Sequence, residues 1–242
     1  MTVVVSDYAI ASPSYGLVTD MQRVTEPELM NDPLHAQAYA RADFEAAHSR
    51  IVEQFGVYFP GVELAGNILD LGCGPGDISF RFAARFPGST VTGVDGAAAM
   101  IELANLRRSQ EGATAGRVSF IEGVLPGAAI PRIPYAAIIS NSLLHHLHEP
   151  GVLWNSITRY AGAGTRIFVA DLMRPPGTAE ARRLVDEYAE GEPEILQRDF
   201  YNSLLAAFEP REVEAQLVAA GLDGLSVEVI SDRHLLVHGS RD

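Results

Sequence analysis

From Ile68 to Met173 the chain alternates short apolar runs with amphipathic stretches, and few architectures accept that rhythm. The order is "NILDL", a helical pattern over Ile78 to Phe86, "TVTGVD", a second over Ala97 to Arg108, "RVSFIEG", "YAAIISNS", a helix around Pro150 to Tyr160, and "TRIFVADLM". Strands separated by whole helices do not pair as hairpins, so this order predicts a parallel sheet with right-handed crossovers. Ahead of the sheet, Pro27 to Phe59 carries apolar residues at mixed spacings of three and four, the pattern of two helices. After Met173, "RPPG" breaks the rhythm, and helical patterns follow at Ala179 to Tyr188, Phe200 to Phe208 and Pro210 to Ala220. The tail "LSVEVI-SDR-HLLVHG" predicts an antiparallel hairpin.

With 242 residues and 47% apolar content, the chain can close one full core. We expect a loosely ordered leader at 1–24. A single catalytic domain is expected over 25–242, with helical lid elements at 27–59 and 178–208. The formal net charge of −13, with no cationic stripe, argues against nucleic acid and against an anionic membrane surface. No apolar run is long enough to span a bilayer. The single cysteine, Cys73, rules out a disulfide framework and fits a reducing cytoplasm.

One turn carries most of the chemistry. A strand that ends in Gly72-Cys73-Gly74-Pro75-Gly76 and then enters a helix brings main chain close to a ligand at the carboxyl edge of the sheet. A dinucleotide fingerprint would place a glycine at position 77, where Asp77 stands instead, at the seat of a pyrophosphate. Asp70, two residues before the turn, favours a ligand with a cationic amino end. Asp95, at the end of the second strand, is placed to accept ribose hydroxyls. A ligand with a ribose, a positive end and no phosphate satisfies all of these, and S-adenosylmethionine is such a ligand.

At these residues the chain resembles the class I S-adenosylmethionine-dependent methyltransferases. "ILDLGCGPG" is similar to their glycine motif, "VDGAAAMIELA" to their ribose-acid motif, "FIEGVLPG" to their adenine-contacting turn, and "IISNSLLHHLHEP" to the segment facing the transferred methyl group. The resemblance implies a Rossmann-like α/β fold, a seven-stranded mostly parallel sheet with helices on both faces and a C-terminal antiparallel hairpin. It also implies S-adenosylmethionine as cofactor. Gly72, Gly74 and Gly76 would admit the cofactor, Asp70 would hold its amino end, Asp95 its ribose, and Met100 its adenine, while Asn141 would line the sulfonium. Tyr39, Cys73, Gly96, Gly123, Val124 and Ser142 complete the expected cofactor set. Val124 departs from the family pattern, where an acid often meets the adenine amino group, and Ala136 replaces a frequent aspartate.

The expected reaction is methyl transfer to a small molecule, with Asn141, His145, Tyr188, Tyr201 and Ser203 as candidate catalytic residues. Histidine titrates near neutral pH, so His145 or His146 suits a general base. A metal at His145, His146 and His148 is not expected, because the sequence shows too few convergent ligands. In "EILQRDFYNSLLAAF", Asp199 is either an N-cap to the helix from Phe200 or, with Tyr201, Asn202 and Ser203, part of an acceptor wall. Two other functions fit the same cofactor. One is a cyclase of the azetidine-2-carboxylate synthase type, in which the cofactor's own amine attacks its γ-carbon and methylthioadenosine leaves. The other is a non-catalytic binding module.

Overall fold

The computed structural model describes residues 21–27, 29, 33–41 and 45–241. Residues 1–20 of the expected leader, and residues 42–44 within the helical pattern expected ahead of the sheet, lie outside the described residues. The seven strands are β1 (Gly66–Leu71), β2 (Ser89–Asp95), β3 (Val118–Glu122), β4 (Tyr135–Asn141), β5 (Arg166–Leu172), β6 (Ser226–Val229) and β7 (His234–Ser240). They form one sheet in the order β3-β2-β1-β4-β5-β7-β6. The first five run parallel, and β7 pairs antiparallel with both β5 and β6, as the tail pattern predicts.

Eight helices are described: α1 (Pro33–Arg41), α2 (Glu45–Tyr58), α3 (Asp77–Arg85), α4 (Ala98–Gln110), α5 (Gly151–Tyr160), α6 (Thr178–Tyr188), α7 (Glu194–Ala206) and α8 (Pro210–Ala219). Side chains alternate across each strand, so β1 sends Leu69 and Leu71 to one face and Ile68 to the other. On the first face they meet Trp154 and Leu153 of α5 and Val213 and Leu217 of α8. On the second, Phe55 of α2 and Phe82 of α3 close a ring cluster with Phe86 and Phe168. Helices α6 and α7 pair over Leu172 in a separate apolar cluster.

One helix start differs from expectation. Helix α7 begins at Glu194 behind Pro193, so Asp199 lies inside the helix and does not cap it. A proline that fixes φ next to an acidic first turn is itself a start signal, and it acts five residues earlier.

Asp77 also has a different role from the one its position suggested. Its carboxylate meets Arg81 Nε at 2.6 Å, Arg107 at 2.6 Å and His48 Nδ1 at 2.7 Å. These partners hold the carboxyl well below the usual range despite its burial. Asp77 therefore joins α2, α3 and α4 beneath the turn and leaves no free charge at its mouth.

The turn itself depends on glycine. Gly72, Gly74 and Gly76 have φ of 75°, 51° and 86°. A Cβ on Gly76 would lie 2.5 Å from the Phe120 ring, and one on Gly72 would lie 2.8 Å from Leu143 Cβ. Gly76→Ala combines left-handed strain with overpacking and is expected to cost about 2–4 kcal/mol, measured by urea unfolding. A loss under about 0.5 kcal/mol would contradict this account of the turn.

Candidate active site

The carboxyl ends of β1, β2, β4 and β5 converge on one edge of the sheet. Strand β1 leads into the glycine turn, and the N–H groups of Gly72 and Cys73 both donate to Val94 O of β2. Of the three turn glycines only Gly74 faces open space, since a Cβ there would meet nothing within 4 Å. That is where a ligand approaches main chain. Cys73 turns its side chain under the turn against Gly93, so it can offer a ligand only backbone.

Asp95 closes the turn from the second strand. Its Oδ2 accepts from Gly74 N at 2.9 Å and its Oδ1 from Ala97 N at 2.8 Å. Both oxygens keep a lone pair free for a hydroxyl. Asp70 lies deeper, 1% exposed, and accepts from Ser79 Oγ at 2.6 Å. Burial, opposed by that hydrogen bond and aided by the Asp95 charge, pushes its carboxyl up to about 7.

Gly96 and Val124 form the next wall, with Leu29 reaching over Gly96. Gly123 N donates to Asp95 O, and a Cβ on Gly123 would clash with Ala128. Met100 is buried beside Ala36, Ala97 and Tyr39, so it joins α4 to α1. Tyr39 stands within the field of Asp77, Asp95 and Asp171, and burial with those charges raises its hydroxyl to about 12.

At the end of β4, Asn141 Nδ2 donates to Ser142 Oγ at 3.2 Å. Ser142 has φ of 55°, the one positive φ of a non-glycine among the described residues. Such backbone costs of order 1–3 kcal/mol and gathers at functional turns. The following short helical turn, Leu144–His146, presents His145 to Asp171 at the end of β5, with Nδ1 and Oδ1 2.6 Å apart. The same carboxylate accepts from Leu144 N at 2.7 Å and Leu172 N at 2.8 Å. Burial works against charge on both members. Their mutual attraction outweighs it, raising His145 and lowering Asp171.

The segment 21–27 adds residues that the sequence did not single out. Glu26 Oε1 accepts from Ser203 Oγ at 3.0 Å and lies 3.1 Å from His146 Nδ1 and 3.6 Å from His145 Nε2. Arg23 donates to His145 O at 2.8 Å and Leu147 O at 2.9 Å, and stacks on the Phe208 ring. Nothing local marks Glu26 in sequence; Asp171 was also not singled out, although an acid ending the apolar run "TRIFVADLM" is a signal that could have found it.

His145 and Ser203 are thus brought together, with Asn141 on the neighbouring strand end. Tyr188 and Tyr201 are not brought to them. Tyr188 is 43% exposed, bonds to Asp232 in the β6–β7 turn and carries Arg233 on its ring. Tyr201 packs in the α6–α7 cluster and lines an outward cleft with Arg182 and Arg198. Tyr201 lies two residues before Ser203 on α7 and so faces the α6–α7 cluster, while Tyr188 ends α6 against the β6–β7 turn.

Residues 68–164 match a family described as "Methyltransferase domain". The malonyl-[acyl-carrier protein] O-methyltransferase of Priestia megaterium is 36% identical over 105 residues, 43% of this chain and 35% of that protein. The ubiquinone biosynthesis O-methyltransferase of Xylella fastidiosa is 28% identical over 151 residues, 62% of this chain and 54% of that protein. The matched regions span about half or less of these relatives. A plantazolicin methyltransferase in complex with SAH superposes with a TM-score of 0.64 at 15% identity, covering 87% of this chain and 91% of its own, a likeness of fold.

Asp70 yields a test. An acid whose folded pKa lies above its unfolded value of 3.8 costs no stability below that pH and progressively more as pH rises to 7. Asp70→Asn should therefore gain on the natural protein by about 2 kcal/mol between pH 5 and 7 in urea unfolding. Parallel profiles would show that Asp70 is ionised as readily folded as unfolded.

Proposed function

We propose that this chain, a class I S-adenosylmethionine-dependent methyltransferase, methylates an oxygen of a small-molecule acceptor held between the ends of β4 and β5 and helix α7. The observation that carries this reading is the open main chain at Gly74, tied to Asp95 and set above the buried Asp70. The turn admits a nucleoside, Asp95 has lone pairs for its ribose, and Asp70 supplies a carboxylate for an ammonium. When bound, S-adenosylmethionine supplies a methyl group on a sulfonium, which is already an activated leaving group. The protein's work is then positioning and, where the acceptor carries a proton, taking it up.

His145 fits that second task. Asp171 fixes its Nδ1, which leaves Nε2 directed into the cluster with Glu26. Ser203 and Asn141 supply neutral polar groups to orient the acceptor. The names of two relatives, both O-methyltransferases, support an oxygen nucleophile. Cofactor contacts follow the same reading at Tyr39, Gly72, Cys73, Gly74, Gly76, Gly96, Met100, Gly123, Val124 and Ser142, with Cys73 serving through its main chain. Helices α1, α2, α6 and α7 are proposed as the covering elements of a single catalytic unit.

One observation keeps cyclisation as a second reading. Asn141 and Ser142 are uncharged polar groups at the end of β4 that suit a neutral amine beside the sulfonium, whereas an amine held at Asp70 stays protonated and does not attack. The two readings separate by product. Incubated with S-adenosylmethionine and no acceptor, a methyltransferase forms no methylthioadenosine; its appearance by mass spectrometry would overturn methyl transfer in favour of ring closure. No turnover with any acceptor, despite binding, would favour the binding module.

The role of His145 is tested by His145→Ala, which should lower kcat about 10²–10⁴-fold with little change in cofactor binding. Because Asp171 raises His145 above its ordinary 6.5, the natural enzyme's rate should climb with pH through an inflection above that value. An unchanged kcat, or a pH profile that the variant shares, would remove His145 from the mechanism.

A further inference from the structure

Glu26 faces two imidazoles, and although burial works against its charge, their attraction holds its carboxyl below the usual range. Its Oε1 stands 3.1 Å from His146 Nδ1, yet that nitrogen is buried and makes no hydrogen bond. The ring N–H direction does not lie along the line to the oxygen. His145 Nε2 lies 3.6 Å from the same oxygen. One ligand atom from each of the three residues falls within 4.8 Å of the other two. Metal bonds of 2.0–2.1 Å in a tetrahedral site separate neighbouring ligand atoms by roughly 3.3 Å, between the two distances seen.

The surroundings match as well. His145 is fixed at its other nitrogen by Asp171, 2.6 Å away, and that carboxylate is in turn held by two backbone N–H groups. Carboxylate, histidine and metal in that order are the usual support of a metal ligand. Ser203 Oγ, 3.0 Å from Glu26, steadies the third ligand. Two imidazoles and one carboxylate suit zinc or another late first-row divalent ion better than magnesium or calcium, which prefer oxygen.

We propose that Glu26, His145 and His146 bind one divalent transition-metal ion, with Asp171 orienting His145. A bound ion would tie the segment around Glu26 to the end of β4. It would also take the lone pair that the proposed methyl transfer uses for proton uptake, and so act as a regulator of that step. Only this consequence rests on the functional reading; binding stands apart from it.

Binding is therefore measured without cofactor or acceptor. Untagged, metal-stripped protein is titrated with Zn²⁺ by calorimetry and with Co²⁺ by visible absorption. One ion per chain should bind, with cobalt bands of a low-coordinate site. His146→Ala and Glu26→Gln, each checked for native circular dichroism, should weaken affinity at least about tenfold, and Asp171→Asn about 10–100-fold. Trypsin cleavage after Arg23 should slow when Zn²⁺ is added. Absence of saturable binding, or binding that His146→Ala and Glu26→Gln leave unchanged, overturns the proposal. Because His146 is half-buried and Glu26→Gln keeps the side chain's shape, loss of folding in one variant leaves the other decisive.

Discussion

The hydrogen bonds that Asp95 accepts from Gly74 and Ala97 hold the site in register. They join the end of β2 to the middle of the glycine turn and to the start of α4, so three elements meet at one carboxylate. Because Gly72 and Gly76 lack side chains, Leu143 and Phe120 pack into the space that side chains there would need, while Gly74 meets nothing. Open main chain at Gly74 is the remainder of that packing. A ligand site here follows from the way a parallel sheet ends, with strand, turn and helix leaving backbone groups directed outward.

Two carboxylates in this edge are handled in opposite ways. Asp77, surrounded by His48, Arg81 and Arg107, is fully compensated and serves as a joint between helices. Asp70, with one hydroxyl partner and no cation beside it among the described residues, is left poised for whatever positive group arrives. A third, Asp171, sits between these cases, since His145 compensates it while remaining available at its far nitrogen. Charge that is unpaired in the folded chain marks the ligand; charge that is paired marks the scaffold.

Most of the fold was legible because hydrophobic periodicity is local. Each strand of the alternating region and the closing hairpin appear where the patterns put them, and so does the glycine turn. The misplaced start of α7 came from weighing Asp199 as a cap above Pro193, a signal equally local but less apolar in context. Asp70, Asp95 and Asn141 could be singled out because each lies at a strand end beside a turn, whereas Asp171, at the end of β5, was not singled out although its position is of the same kind. The site was not legible for Glu26 and Arg23, whose roles depend on how a segment before the first helix crosses the edge of the sheet. Tyr188 and Tyr201 erred for the same reason, because helix phase relative to a distant pocket is not written in the helix itself.

The central claim is that the glycine turn, Asp95 and Asp70 hold S-adenosylmethionine. A crystal structure with S-adenosylhomocysteine tests it most directly. The account predicts ribose hydroxyls on Asp95, the amino group on the Asp70 side of the turn and main chain of Gly74 against the ligand. A ligand bound elsewhere, or one that leaves Asp95 without a hydroxyl partner, would contradict it.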